Sequence, residues 1–207
     1  MKSALSLNLR SYWAGLKAVL VCTLAVIVYT ALMTGIGALG FPEQANGSMI
    51  TNSEGQIVGS SLIGQSFSDA DGEAIDKYFQ PRPSAAGDGY DAAASSGANK
   101  GHSDEEYLKT IEERRDAIAE REGVDVKQVP ADAATASSSG LDPHISPEYA
   151  AIQVERVAEA RGMDVEDVER LVKEHTTGRG LGFIGEPVVN VVTLNLCLLY
   201  TSPSPRD

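Results

Sequence analysis

The sequence predicts an α+β protein with one N-terminal transmembrane helix, followed by a small extracytoplasmic α+β domain that contains a helical hairpin. Three observations predict this: an uncharged apolar stretch at residues 18–41, short β-branched runs at 49–67, and two amphipathic helical patterns that meet at Gly162. The length of 207 residues accommodates one span and one domain of ordinary size.

Residues 18–41 contain no Asp, Glu, Lys, Arg or His and are long enough to cross a hydrocarbon core of about 30 Å as a helix. The charged side chains that precede Glu43 are all basic, namely Lys2, Arg10 and Lys17. The positive-inside rule therefore places residues 1–17 in the cytoplasm and the chain that follows residue 42 outside it.

A cleaved signal peptide is the alternative interpretation of this stretch, since residues 38–40 (Ala-Leu-Gly) loosely resemble a cleavage site. The apolar run is longer than the roughly 7 to 15 residues of a signal-peptide core. The sequence therefore favours a retained anchor.

The charge balance bears on the class of partner. Lys and Arg number 17 against 29 Asp and Glu, which gives a net charge of −12. Such an acidic chain repels phosphate backbones, so we expect no nucleic-acid partner.

The domain at residues 42–196 is predicted to begin with small strands joined by tight turns at 49–67, followed by a long loop rich in Gly, Ala and Ser at 85–101. A helix is expected at 104–122, with Ser103 and Glu106 as a capping box. We interpret the many charges of this helix as a solvated face with i,i+4 pairs. Residues 124–136 are expected to form a linker or a short strand.

Ser146, Pro147 and Glu148 predict the start of a second helix, which should end at Gly162. Its predicted buried face comprises Ala150, Val154, Val157 and Ala158, with Glu148, Glu155 and Glu159 on the opposite face. A third helix is expected from Asp164, with Val165, Val168, Leu171 and Val172 buried, so that the two form the helical hairpin.

The end of the chain is less regular. Residues 187–196 fit either a buried strand or a helix started by Pro187, and their β-branched content favours the strand. The string from Cys197 to Asp207, CLLYTSPSPRD, looks like a translated sequencing adaptor, and a disordered Pro-rich tail is the alternative. We therefore predict that residues 197–207 are a non-native tail outside the fold.

Known catalytic motifs are absent from the sequence. It has neither the Asp-Lys-Thr-Gly-Thr string of a phosphorylated P-type ATPase nor a Walker A loop. Ser139, Asp142 and His144 could be imagined as a hydrolase triad, but residues so close in sequence seldom reach triad geometry, and local turns are the better interpretation. The three histidines are dispersed, so no metal site is expected.

Five strings resemble the KdpC family, the C subunit of the bacterial Kdp potassium-transporting P-type ATPase. In chain order they are GSSLIGQSF, YFQPRPSAAGDGYDAAASSGAN, TASSSGLDPHISPEYAAIQVERVAEARG, HTTGRGLGFIGEP and VNVVTLNL.

The resemblance implies a non-catalytic accessory subunit of an ATP-driven, high-affinity potassium importer. It would lie in the plasma (inner) membrane of a bacterium, with a P-type ATPase subunit, a potassium-conducting subunit and membrane lipid as partners. ATP and potassium would then act at the level of the complex, with no cofactor bound directly. The domain would stabilise the assembly and cap the extracytoplasmic ion entrance or aid ATP use; the alternative is a membrane-anchored extracytoplasmic hydrolase or receptor domain.

The resemblance also indicates residues of partner or fold motifs. These are Arg82, Pro83, Ser84, Asn99, Ser139, Gly140, Asp142, Pro143, His144, Gln153, Arg156, Arg161 and Asn190. Gln153 and Arg156 share a helix face, and the family has a suggested role in holding ATP. The orientation derived above opposes it, because ATP is cytoplasmic, so partner or fold contact is favoured.

Overall fold

The structure is a computed structural model, and it describes residues 2–200. The chain divides into two compact units between Ser48 and Met49. The mixture of helices and short strands, with one long apolar N-terminal helix, confirms the predicted α+β class.

The first unit is dominated by helix α1, Lys2–Gly40, followed by the short helix α2, Pro42–Ala45. The segment Leu9–Gly40 is long and apolar enough to cross a membrane. Its apolar side chains are exposed, as Leu20, Leu24 and Ile27 illustrate, and a helix that is apolar all round fits lipid. The helix begins well before the predicted span, since the residues that precede the uncharged stretch also adopt helical structure.

The second unit begins with the antiparallel hairpin of β1, Met49–Thr51, and β2, Ile57–Ser60, as predicted. Residues 61–104 then contain turns and isolated bridges but neither helix nor extended strand. Helix α3 spans Glu105–Glu122, a 3-10 turn spans Val126–Gln128, and α4 spans Ala131–Ala134. The expected linker at 124–136 is therefore largely helical turns.

The remaining elements form the hairpin and a small sheet. They are β3 (His144–Ile145), α5 (Pro147–Arg161), α6 (Val165–Glu174), β4 (Thr176–Thr177), β5 (Val188–Asn190) and α7 (Val191–Tyr200). The strands are antiparallel in the order β3-β5-β4.

The predicted hairpin of α5 and α6 is confirmed. The Ser146 hydroxyl accepts a hydrogen bond from the Tyr149 amide at 3.0 Å, and Gly162 ends α5 in the left-handed conformation at φ 63°, where glycine avoids the Cβ penalty. The core that α5 builds joins Val154 and Val157 to Val168 of α6.

Two helical details of the sequence prediction are wrong. Asp104, rather than Ser103, caps α3 by accepting a hydrogen bond from the Tyr107 amide at 3.0 Å. Val165 is 38% exposed, because it is the first residue of α6 and precedes the packed turns.

The C-terminal segment differs most from expectation. The favoured strand covers only Val188–Asn190, and the chain then turns into α7, which continues through Tyr200. Leu198 is fully buried in the core, so residues 197–200 belong to the fold. The fold therefore extends past its predicted end at Leu196. The rest of the predicted tail, residues 201–207, lies outside the described residues.

Candidate functional site

Two side-chain amides hold the end of one loop segment, residues 77–80, which we call the clamped segment. The Gln80 backbone N–H donates to Gln153 Oε1 at 2.6 Å, and Gln153 Nε2 donates to the Gln80 carbonyl at 3.2 Å. Asn195 of α7 binds the Phe79 backbone in the same two-bond manner, at 2.8 and 2.9 Å. The amides thus satisfy the backbone N–H and carbonyl groups of Phe79 and Gln80, which lie outside any strand.

A buried ion network continues from Gln153. Glu122, at the end of α3, has a side chain that is 0% exposed, and it accepts from Arg121 Nε at 2.7 Å and Arg156 Nε at 2.8 Å. Arg156 also donates to Gln153 Oε1 at 2.9 Å and to the Tyr78 carbonyl at 3.1 Å. The predicted solvated face of α3 is therefore wrong at its C-terminal end, where the charges connect α3 to α5.

Arg161 fixes the other end of the clamped segment. Its Nε donates to the Lys77 carbonyl at 2.6 Å, and its Nη1 donates to the Leu198 carbonyl at 2.8 Å. The guanidinium also lies 5.3 Å from the centre of the Tyr78 ring, within the range of a cation–π contact. Three side chains along α5, those of Gln153, Arg156 and Arg161, thus hold one segment.

A second cluster holds residues 82–84 against the chain that precedes β3. Arg82 donates to the Thr135 carbonyl from Nε and Nη2, both at 3.3 Å, and pairs with Asp142 at 3.3 Å. The Ser84 hydroxyl donates to the Gly140 carbonyl at 2.6 Å. The sequence placed these residues in separate strings, and the fold brings them together.

Gly140 is required by close packing as well as by its backbone conformation. Its φ is 67°, and a Cβ there would lie 2.6 Å from the Ser96 carbonyl oxygen and 2.8 Å from the Ala86 nitrogen. These neighbours are backbone atoms of the loop at 85–101, so they cannot move aside as a flexible side chain would.

We expect Gly140→Ala to destabilise the chain by about 2 kcal/mol or more, because steric overlap adds to the roughly 1 kcal/mol cost of a left-handed alanine. The matched control is Gly162→Ala, whose φ of 63° is similar but whose Cβ would meet open space. Thermal unfolding of the full chain in mild detergent measures the loss of stability in each variant. Equal losses in the two variants would contradict a packing role for Gly140.

The third group, Ser139, Asp142 and His144, forms local turns as the sequence favours. Asp142 Oδ1 accepts from the His144 backbone amide at 3.0 Å and lies 3.1 Å from His144 Nδ1. These hydrogen bonds from His144, led by that of its ring, hold the pKa of Asp142 below its usual range. The Ser139 hydroxyl meanwhile accepts from the Leu141 amide at 3.1 Å, so its hydrogen bond serves a turn.

The other predicted residues have separate positions. Asn190 caps α7 by accepting from the Thr193 amide at 3.1 Å, and its Nδ2 donates to the Ser61 carbonyl at 2.8 Å. The Pro143 carbonyl accepts from the Val191 amide at 2.9 Å, which joins the residue before β3 to the first residue of α7. Asn99 is exposed and has a left-handed backbone conformation at φ 50°, and Pro83 lines a surface cavity together with Arg82 and Ser84.

A surface cleft of about 610 Å³ opens beside the second and third clusters. We call it the serine cleft, and its walls include Leu62, Ile63, Ser139, Leu141 and His144. Leu62 is 60% exposed and Ile63 38% exposed. The cleft therefore places exposed apolar side chains next to polar turns.

Sequence reasoning missed several residues of these networks, among them Gln80, Tyr90, Arg121, Glu122 and Asn195. Tyr90 donates its hydroxyl to the Arg82 carbonyl at 2.6 Å, and burial is the main cause that raises its pKa. Asn195 had a usable signal, because a single amide within an otherwise apolar run has to find a buried partner. Among residues 2–200, no group of three or more His, Cys, Asp or Glu is arranged to hold a metal.

The fold and the site together define a class: a chain with one long apolar helix and a small α+β domain whose polar residues hold loop segments to helices. The chain matches the family model described as KdpC: K+-transporting ATPase, c chain, over residues 12–199. It belongs to the KdpC family.

Curated relatives carry the name Potassium-transporting ATPase KdpC subunit. The protein of Kineococcus radiotolerans is 50% identical over 98% of this chain and 100% of the relative. That of Gemmatimonas aurantiaca is 51% identical over 90% of this chain and 92% of the relative. That of Mycobacterium tuberculosis strain H37Rv is 50% identical over 83% of this chain and 88% of the relative.

Proposed function

We propose that the chain is the accessory subunit of an ATP-driven, high-affinity potassium import complex and that it stabilises the assembly of the ATPase and ion-conducting subunits. As a KdpC family member it is a subunit of a potassium-transporting ATPase, rather than an enzyme on its own. The observation that carries the proposal is the match to KdpC relatives at about half identity over nearly the whole chain. In this proposal ATP and potassium act at the level of the whole complex, and this chain binds neither directly.

The long apolar helix supports a membrane location, and the basic residues of its N-terminal part support a cytoplasmic N-terminus. The domain would then cap the extracytoplasmic ion entrance. Its acidic excess would raise the local cation concentration there, but only at close range, because charges are screened over about 8 Å at physiological salt.

Gln153 and Arg156 enter this proposal as residues that hold the fold. Gln153 is 0% exposed, and its two amide atoms bond to Gln80 and Arg156. A phosphate group would have to displace these bonds to reach it, which supports a fold role over ATP contact.

Thiol labelling of intact cells tests the orientation. Glu159 is exposed on α5, so we expect Glu159→Cys, with Cys22 and Cys197 replaced by Ala, to react with a membrane-impermeant maleimide. The matched variant Arg10→Cys should react only after the cells are permeabilised. The reverse pattern would place the domain in the cytoplasm and contradict the capping role.

Affinity purification in mild detergent tests the assembly. We expect the tagged chain to bring down an ATPase and an ion-conducting protein in fixed ratio. If the serine cleft contacts them, Leu62→Glu should lower recovery about tenfold or more, because a buried unpaired carboxylate costs over 1.4 kcal/mol.

Leu108→Glu is the control, since Leu108 is 44% exposed on α3, outside the cleft. Equal losses in both variants would contradict the cleft as the contact surface. A stable monomer without partners would overturn the proposal, and turnover abolished by Ser139→Ala would favour the hydrolase alternative.

A further inference from the structure

A second cavity, of about 420 Å³, lies between α3, α5 and the chain that follows the clamped segment. We call it the arginine cavity. The side chains that matter for its chemistry are Arg82, Arg114, Arg121, Tyr90, Tyr149 and Ser84. Its volume lies at the smaller end of the range of about 300–1,000 Å³ that is typical of small-molecule sites.

The charge of this cavity is opposite to that of the chain. Among residues 2–200, three arginines and no Asp or Glu line it, although acidic residues outnumber basic ones by 29 to 17 in the whole sequence. A positive cavity with partly buried walls concentrates the field on an anion. Arg82 and Arg121 each pair with a carboxylate outside the walls, Asp142 and Glu122, so Arg114 contributes most of the uncompensated charge that favours an oxyanion.

The arginines differ in how many of their donors the fold consumes. Arg82 is committed to the Thr135 carbonyl and to Asp142. Arg114 gives one bond, from Nη1 to the Ala134 carbonyl at 3.3 Å, out of the five N–H donors of a guanidinium. Arg121 bonds Glu122 through Nε and interacts electrostatically with Tyr149, while its Nη2 is buried without a hydrogen-bonding partner among the described residues.

Arg114 and Arg121 are seven residues apart on α3, so they lie on the same face about 10 Å apart along the helix axis. Both side chains line one cavity, so a molecule with two anionic groups can contact both guanidinium groups. A guanidinium recognises carboxylate and phosphate oxygens alike through its planar fork.

We propose that the arginine cavity binds a small organic or inorganic polyanion with two or more carboxylate or phosphate groups, held by Arg114 and Arg121. Because α3, α5 and residues 80–84 all contribute to the walls, the occupied cavity links these elements. Binding to the folded chain alone would raise its stability by mass action.

Isothermal titration of the full chain in mild detergent tests this proposal, with citrate as the polycarboxylate probe and pyrophosphate as the phosphate probe, at constant ionic strength. We expect at least one probe to bind and Arg114→Gln to weaken that binding about tenfold or more, since a charge-assisted hydrogen bond is lost. Saturable binding of citrate alone would identify carboxylates as the groups that the cavity recognises. Saturable binding of pyrophosphate alone would identify phosphates.

Lys109→Gln is the matched control, because it removes one positive charge from an exposed position on the same helix. It should bind the probes as the unchanged chain does. If Arg114→Gln does not fold, Arg114→Lys keeps the charge but loses the fork and should weaken binding severalfold. The proposal would be overturned if neither probe bound. It would also be overturned if Arg114→Gln bound the probes as tightly as Lys109→Gln does.

Discussion

Gln153→Leu is expected to lower the free energy of unfolding by about 2–4 kcal/mol, since each buried polar group without a partner costs roughly 1–3 kcal/mol. The substitution keeps a side chain of similar size but removes the hydrogen-bonding partner of the Gln80 backbone N–H and carbonyl, which both bond to Gln153. It also removes one hydrogen bond from Arg156. Chemical denaturation of the full chain in mild detergent measures the loss.

Glu155→Leu is the control, because it places the same side chain on an exposed position of the same helix. We expect it to change stability by less than about 0.5 kcal/mol. Asn195→Leu should resemble Gln153→Leu, and the double variant should cost less than the two single losses combined, because both amides hold adjacent residues of one segment. A stable Gln153→Leu chain would contradict the clamp.

The second large effect is expected at Glu122. Glu122→Gln should destabilise the chain by about 3 kcal/mol, near the lower end of the roughly 3–5 kcal/mol for breaking a buried ion pair. The variant leaves Arg156, whose side chain is 9% exposed, without its counter-charge, while Arg121 at 27% exposure keeps part of its hydration. Thermal unfolding at low and high salt measures both the loss and its screening.

The exposed neighbour Glu120 supplies the control, since Glu120→Gln makes the same chemical change on the same helix. Its effect should be small, as for a surface charge. The Glu122→Gln loss should persist at high salt, because buried charges are little screened. Equal and salt-sensitive losses at both positions would show that Glu122 acts as an ordinary surface charge.

These residues illustrate where sequence patterns are ambiguous. The sequence of α3 reads as a charged, solvated helix, and most of its acidic residues are exposed as such a helix requires. Nothing in the local pattern distinguishes Glu122 from Glu120. The difference arises because the last turn of α3 packs against α5, where Arg156 supplies the counter-charge.

The candidate site was predicted as a set of residues but not as an arrangement. The family strings drew attention to Arg82, Gly140, Gln153 and Arg161, each of which the structure places in a contact between distant segments. Their partners are largely backbone carbonyls and amides. Backbone groups carry no sequence signal, so the contacts themselves required the tertiary structure.

The sequence by itself determined the apolar N-terminal helix, the first hairpin and the helical pair joined at Gly162. Each of these depends on local properties: an uncharged run, turn residues between β-branched segments, and caps that flank a 3.6-residue pattern.

Only the tertiary structure decided the form of the C-terminal segment, the burial of Glu122 and the clamping of residues 77–80. A run such as VVNVVTLNL fits both strand and helix patterns over a short length, and its β-branched content favours a strand that the structure forms only at Val188–Asn190. It turns into α7 after Asn190, and there Asn195 meets the Phe79 backbone and Leu194 and Leu198 enter the core. The physical reason is that contacts between residues more than 100 positions apart, rather than local preference, satisfy the buried amide.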